Sequence, residues 1–182
     1  MRIPLDRIPL GDGDLLLRPF VVSDADAVAA ACRDPEIPRW TYMADGLTPA
    51  HARDWIKRAH DAQQRARALR LAIVDADDGT FLGQVGIGKL DWDQRVGEIF
   101  YWVVAGARGR GIAWRATCLL ADWAFDALAL ARIEIIVNPH NEASLRAATA
   151  AGFTREGLLR SYQVFKGGRM DAVMFSRLPD DE

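Results

Sequence analysis

Residues 95–138, "RVGEIFYWVVAGARGRGIAWRATCLLADWAFDALALARIEIIVN", constrain the fold more than any other stretch. An apolar run rich in β-branched and aromatic residues, "RVGEIFYWVV", reads as a strand. A glycine-rich turn follows, and then apolar positions 116, 119, 120, 123 and 127 take the 3-4 spacing of a helix. "ARIEIIVN" reads as a second strand. A strand, a helix and a strand in this order form a crossover, which lays the two strands parallel in one sheet.

The flanking sequence pulls the other way. "LRLAIVD", the turn "ADDGT" (Ala76 to Thr80), "FLGQVGIGKL", the joint "DWDQ" and then "RVGEIFYWVV" read as consecutive antiparallel strands. Upstream, "RIPLDRIPL" is an extended edge segment, "GDGD" a turn and "LLLRPF" a strand. Ser23 starts a helix to about Arg33, with Asp26 favouring its N-terminal N–H groups. "DPEIPRWTYMADG" is a loop, and Thr48-Pro49 caps a helix reaching about Ala68. Downstream, a short helix from Asn141 to Ala151 stops at Gly152, and "FTREGLLR" and "RMDAVMFSRL" are strands around the turn "KGGR". The pattern predicts an α/β (α+β) chain: a mixed, mostly antiparallel sheet of six to seven strands with a central parallel pair, flanked by about four helices. Residues 1–182 are expected to form a single domain, with 178–182 a mobile tail.

Composition narrows the function classes. A net charge of −2 and a pI near 5.9 give no global basic field for nucleic acid. Cys32 and Cys118 have no nearby partner and read as free thiols of a reducing compartment. The N-terminal residues lack a signal-type apolar region, and no apolar run approaches the length of a membrane span. The expectation is a cytoplasmic protein with no membrane contact. His51, His60 and His140 lack ligand spacing, so no metal site is expected.

Two glycines and two arginines at the strand–helix junction, Arg108-Gly109-Arg110-Gly111, suggest a nearby anion. Gly106 and Gly111 have P-loop spacing, but Ile112-Ala113 stand where Lys-Ser would be needed. A dinucleotide fingerprint fails because Trp114 occupies the position of its third, small residue. A pyrophosphate lying on the bare N–H groups of residues 108–113, with charged arginine donors beside it, fits the same residues. So does an ordinary glycine-rich turn with solvated arginines.

At this point the chain resembles a family. "RGRGIA" is similar to the R/Q-x-x-G-x-G/A motif of the GNAT acetyltransferases. "GEIFYWVV" before it, "WAFDALALARIEIIVNPHNEASLRAATAAGF" after it and then "TREGLLR" follow the family's order. The set resembles the branch of RimJ/RimL protein N-terminal acetyltransferases, as does the start "LLLRPF…SDADAVA". "VVAGARG" departs from that branch, which often has a proline and an acid before the arginine. The resemblance implies a GNAT fold and acetyl-CoA as donor. It implies that Arg108, Gly109, Arg110, Gly111, Ile112 and Ala113 cradle the pyrophosphate through backbone amides. It also implies a strand ending at Val103-Val104 that splays from the strand at 133–137, so that pantetheine amides pair with freed backbone. Asn141 and Ser144 match the family's N-x-x-S, with Asn141 beside the cofactor arm or simply a helix cap, and Ser144 ordering the helix.

Transfer from a thioester needs a positioned, neutral amine and a donor for the growing oxyanion. A backbone N–H near Val103 or Val104 is the expected oxyanion donor. Glu98, a carboxylate in an apolar strand, is the candidate base; pairing with Arg95 or Arg132 is the competing reading. Tyr162 is the candidate acid for the leaving thiolate or a packed tyrosine, and Trp40 and Tyr42 are candidates to line the acceptor pocket or pack in the loop. Trp92, Trp102 and Trp123 are assigned to the core or an interface. The expected acceptor is a protein or peptide N-terminal α-amine. A small-molecule amine (antibiotic, polyamine or amino acid) and a non-catalytic acyl-CoA-binding module are the alternatives, with a monomer or homodimer equally open.

Overall fold

Hydrophobic alternation builds one sheet with two different faces, seen in a computed structural model that describes residues 3–181. Its strands are β1 (Leu10–Asp12), β2 (Leu15–Pro19), β3 (Leu69–Asp75), β4 (Phe81–Asp91), β5 (Val96–Val103), β6 (Arg132–Val137), β7 (Thr154–Phe165) and β8 (Gly168–Arg177). They lie in the order β1-β2-β3-β4-β5-β6-β8-β7. All neighbours are antiparallel except β5 and β6. The helices are α1 (Ala25–Ala31), α2 (Glu36–Trp40), α3 (Pro49–Gln64), α4 (Ile112–Leu128) and α5 (Glu142–Ala150).

Odd positions of β3 (Leu69, Leu71 and Ile73), with Val85, Ile87 and Ile99, pack on Ile112, Ala116, Leu120 and Ala124 of α4 and Ala148 of α5. Even positions, Ala72, Val74 and Trp102, pack on Val28, Ile37 and Ile56 from α1, α2 and α3. Each fully buried Leu or Ile contributes roughly 1.5–3 kcal/mol, so both faces are strongly specified. A slip of one residue in β3 would exchange them.

Several expectations are corrected. The described residues contain eight strands, not six or seven, because Leu10–Asp12 of the "GDGD" turn region pairs with β2. They contain five α-helices rather than four, because "EIPRW" in the expected loop is helical. Pro38 sits in the first turn of α2, where a missing N–H is tolerated. The helix expected from Ser23 begins as a 3-10 turn at Val22–Asp24, and α1 starts at Ala25. Asp26 lies in the first turn of α1, as expected, and beside it the buried Asp24 takes both Arg18 Nη atoms at 2.8 Å and the Val21 N–H. α3 begins as expected, with the Thr48 hydroxyl accepting from the His51 N–H, but it ends at Gln64 rather than Ala68. β7 runs on to Phe165, well past Arg160, across a bulge between Leu159 and Gln163. In the expected tail, Leu178 and Asp181 close a turn on each other, and Glu182 lies outside the described residues.

Candidate active site

The sheet opens at its one parallel joint. β5 and β6 pair only over Val96–Glu98 and Arg132–Glu134. Beyond that point β5 stays on β4 as far as Val103, while β6 stays on β8 as far as Val137. The two strands diverge, each partnered on its outer side only. An interior strand edge without a partner leaves main-chain donors and acceptors to be satisfied by something else. Val104 donates its N–H to Leu82 O at 3.0 Å. Strand alternation therefore turns the main-chain groups of Tyr101 and Val103 away from β4, into the gap. Of the two expected positions for an oxyanion donor, the Val104 N–H is engaged, and the Val103 N–H is the one that faces the open side. The closed end of the gap is braced by Arg132, bound to Glu134 and Glu156 at 2.7 Å.

The glycine turn sits at the mouth of this gap. Gly109 and Gly111 have φ of +77° and +76°, the left-handed region that glycine alone occupies freely. Gly111 is the N-cap of α4 and supplies no side-chain cap. Among the described residues, no main-chain carbonyl accepts from the N–H groups of Gly109 to Trp114. These bare donors lie at the positive end of a 17-residue helix, an arrangement that attracts an anion. A Cβ on Gly111 would lie 2.8 Å from Trp114 Nε1. The two arginines are not alike. Arg108 is tied down, its Nε on Val103 O at 3.1 Å and its Nη2 on Asp34. Arg110 is exposed.

A cavity of about 770 Å³ runs from this turn through the gap to the opposite face of the sheet. Of the expected site residues, Val103, Arg108, Gly109, Gly111, Ile112, Ala113, Asn141 and Ser144 line it, as do Trp40, Tyr42 and Glu98. Val104, Arg110 and Tyr162 lie outside that lining. Asn141 caps α5, its Oδ1 accepting from the Ser144 N–H at 3.1 Å. Sequence reasoning missed Tyr101, whose hydroxyl meets Ser144 Oγ at 3.0 Å and Ser144 O at 3.2 Å. Desolvation pushes that phenol up to about 12, so it stays protonated and ties α5 to β5 across the diverging strands.

On the far face, Glu98, Phe100 and Trp102 project from alternate positions of β5. The Glu98 side chain is 17% exposed, and Lys89 Nζ donates to its Oε2 at 2.7 Å. The pairing partner is therefore Lys89, neither Arg95 nor Arg132. A bulge in β4 makes the pair: Lys89 has φ +47° and the register shifts between Gly88 and Asp91. Desolvation weighs against the Lys89 ammonium, but the hydrogen bond and charge of Glu98 outweigh it and hold its pKa above the usual lysine value. Lys89 also feels the phenols of Tyr42 and Tyr162. Tyr162 stands half-out on the β7 bulge, 41% exposed. Trp40 Nε1 donates to Glu36 Oε2 at 2.9 Å. The Tyr42 hydroxyl donates to Val164 O at 3.2 Å, and its ring meets Phe165 edge-on at 4.9 Å.

Residues 14–154 match the model of the acetyltransferase (GNAT) domain family. The chain is 32% identical over 164 residues to "Uncharacterized N-acetyltransferase p20" of Bacillus licheniformis, covering 90% of this chain and 92% of that one. Its fold is similar to that of RimJ of Mycobacterium smegmatis, solved in complex with CoA-disulfide. There the TM-score is 0.81 and the identity 28%, over 90% of this chain and 81% of the other. Ribosomal-protein-S5-alanine acetyltransferase of Vibrio fischeri shares the fold at a TM-score of 0.82 and 23% identity, over 96% and 98% of the two chains.

Proposed function

The chain belongs to the GNAT acetyltransferase family and is an acetyl-CoA-dependent N-acetyltransferase, and on that premise we propose that its acceptor is the free α-amine of a protein or peptide N-terminus. The carrying observation is the continuity of one cavity from the bare N–H groups of the glycine turn, past the open edges of β5 and β6, to Glu98 on the opposite face. A nucleotide diphosphate suits the first part, an extended amide-bearing arm the second and an amine the third. The resemblance of the sequence motifs to the RimJ/RimL branch of N-terminal acetyltransferases, together with the 28% identity to RimJ, supports an N-terminal acceptor.

When bound, acetyl-CoA supplies an activated thioester, so no covalent enzyme intermediate is required. In this proposal the N–H groups of Gly109 to Ala113 hold the diphosphate, with Arg108 fixing the turn rather than touching the ligand. The Val103 N–H faces the oxygen on which negative charge grows. Glu98 receives the amine proton, directly or through a water, while Lys89 keeps the carboxylate oriented toward the gap. An α-amine with a pKa of about 7.7–8.0 needs little help at neutral pH, whereas a lysine near 10.4 needs much more. One modestly placed carboxylate therefore suffices for the first. No acid is assigned to the departing thiolate, because Tyr162 lies outside the cavity wall.

Coenzyme A thiol release with matched acceptors tests the reading. Peptides with a free N-terminus are expected to turn over, and the same peptides with blocked N-termini are not. Turnover confined to small amines would overturn the acceptor assignment. Binding without turnover for any acceptor would overturn transfer itself.

A further inference from the structure

Arg70 is a charged residue of the cavity wall that the mechanism leaves without a task. It lies on β3 and lines the same cavity as Glu98. The sheet register sets Arg70, Gly86 and Phe100 in one row across β3, β4 and β5. A Cβ on Gly86 would stand 2.6 Å from Phe100 Cε2, so glycine there lets the Phe100 ring lie over β4. The guanidinium carbon sits 4.5 Å from the centre of that ring and 5.6 Å from the Trp55 ring.

Aromatic rings serve the faces of a guanidinium, but its five N–H donors point outward in its plane. Among the described residues no carboxylate pairs with Arg70, and desolvation lowers its pKa with nothing in the protein raising it. The other charges of the wall are engaged. Glu98 is on Lys89, Arg108 on Asp34, Glu36 on Arg39 and Trp40, and Arg146 on Glu142. A half-buried cation without a counter-ion is costly, and a ligand bringing an anion relieves that cost.

We propose that Arg70 binds an anionic group of the acceptor, so that the enzyme selects N-terminal peptides carrying an acidic side chain at the first or second residue. This rests on reading the Glu98 end of the cavity as the acceptor site. The Phe100 ring reaches from β5 over β4, which sets the guanidinium roughly 5–10 Å from the gap, one to two strand spacings. An acidic side chain at the first or second residue of an N-terminal peptide spans that distance. The α-carboxylate of a free amino acid falls short of it.

The test compares kcat/KM for peptides with Asp or Glu at the second residue against their Asn or Gln counterparts, with a free acidic amino acid as a further arm. The wild type is expected to favour the acidic peptide tenfold or more, the usual scale of a charge-assisted contact. In Arg70→Gln that ratio is expected to collapse toward one, whatever the absolute rates, and Arg70→Lys to retain part of it. Equal use of acidic and amide peptides by the wild type overturns the proposal. An unchanged ratio in Arg70→Gln, with both rates reduced, makes Arg70 structural and also overturns it. If Arg70→Gln fails to fold, the Arg70→Lys ratio carries the decision. Calorimetric binding of N-acetylated acidic and amide peptides to the coenzyme A-loaded wild type decides the matter without turnover. Equal affinities there overturn the assignment of Arg70, whereas absence of thiol release faults only the transfer reading.

Discussion

At the glycine-turn end of the cavity the donors are main-chain N–H groups of consecutive residues, Gly109 to Trp114. At the Glu98 end the polar groups are the side chains of Arg70, Lys89, Glu98, Trp40 and Tyr42, drawn from three strands and the α2 region. The first end is written in backbone conformation. It tolerates almost any side chain except a Cβ where φ is positive. The second end is written in side chains and their ion pairs, and its backbone is ordinary strand apart from one bulge at Lys89. One substitution therefore means different things at the two ends.

The sharpest break is Gly111→Val. A side chain at φ +76°, 2.8 Å from the Trp114 indole, must distort the N-terminus of α4. Coenzyme A affinity is expected to fall by about 100-fold or more by calorimetry, because every donor at that end shares one conformation. Unchanged affinity would move the anion site elsewhere.

At the other end, Glu98→Gln keeps the shape and removes the base. Its kcat/KM with an N-terminal peptide is expected to drop roughly 100-fold near pH 6.5, where most of the amine is protonated, and much less near pH 9. A wild-type to variant ratio that is flat with pH would remove Glu98 as base.

Arg108→Ala separates positioning from contact. Its guanidinium holds Val103 O and Asp34, so its loss is expected to weaken coenzyme A binding about three- to tenfold and lower stability by about 1 kcal/mol. Asp34→Asn should reproduce most of that loss, although the native Asp34 carboxylate offers a phosphate no donor. If Asp34→Asn is silent, Arg108 touches the ligand directly. The smallest effect is expected of Tyr162→Phe, a change in kcat under about twofold, since the residue stands outside the cavity wall. A tenfold loss would restore it as an acid.

The contrast also explains what the sequence reveals. The crossover, the parallel joint, the Thr48 cap and the glycine turn all depend on short-range signals: hydrophobic period, cap residues, glycine spacing. The partner of Glu98 does not. Lys89 reaches it through a bulge whose positive φ falls on a lysine, a position with no glycine or asparagine to mark it. Arg70 reads as an ordinary strand residue until the register sets it beside Gly86 and Phe100. α2 hides because two prolines flank and enter it, and its stability comes from burying Ile37 and Pro38 against other elements. The Tyr101–Ser144 tie joins residues 43 apart in the chain, and nothing local to either announces it.

The β7–β8 hairpin reaches back over the molecule at its tip: Tyr42 bonds Val164 O, and Lys166 donates to Pro38 O. These contacts join residues 122 and 128 positions apart. A nascent chain that has emerged only through α5 carries the glycine turn and Glu98, yet lacks the C-terminal segment that closes against Tyr42. Synthesis thus delivers the glycine turn, Arg70 and Glu98 before the hairpin whose tip closes on Tyr42 and Pro38, so the cavity wall, which includes Gln163 and Phe165, is completed only with the last strands.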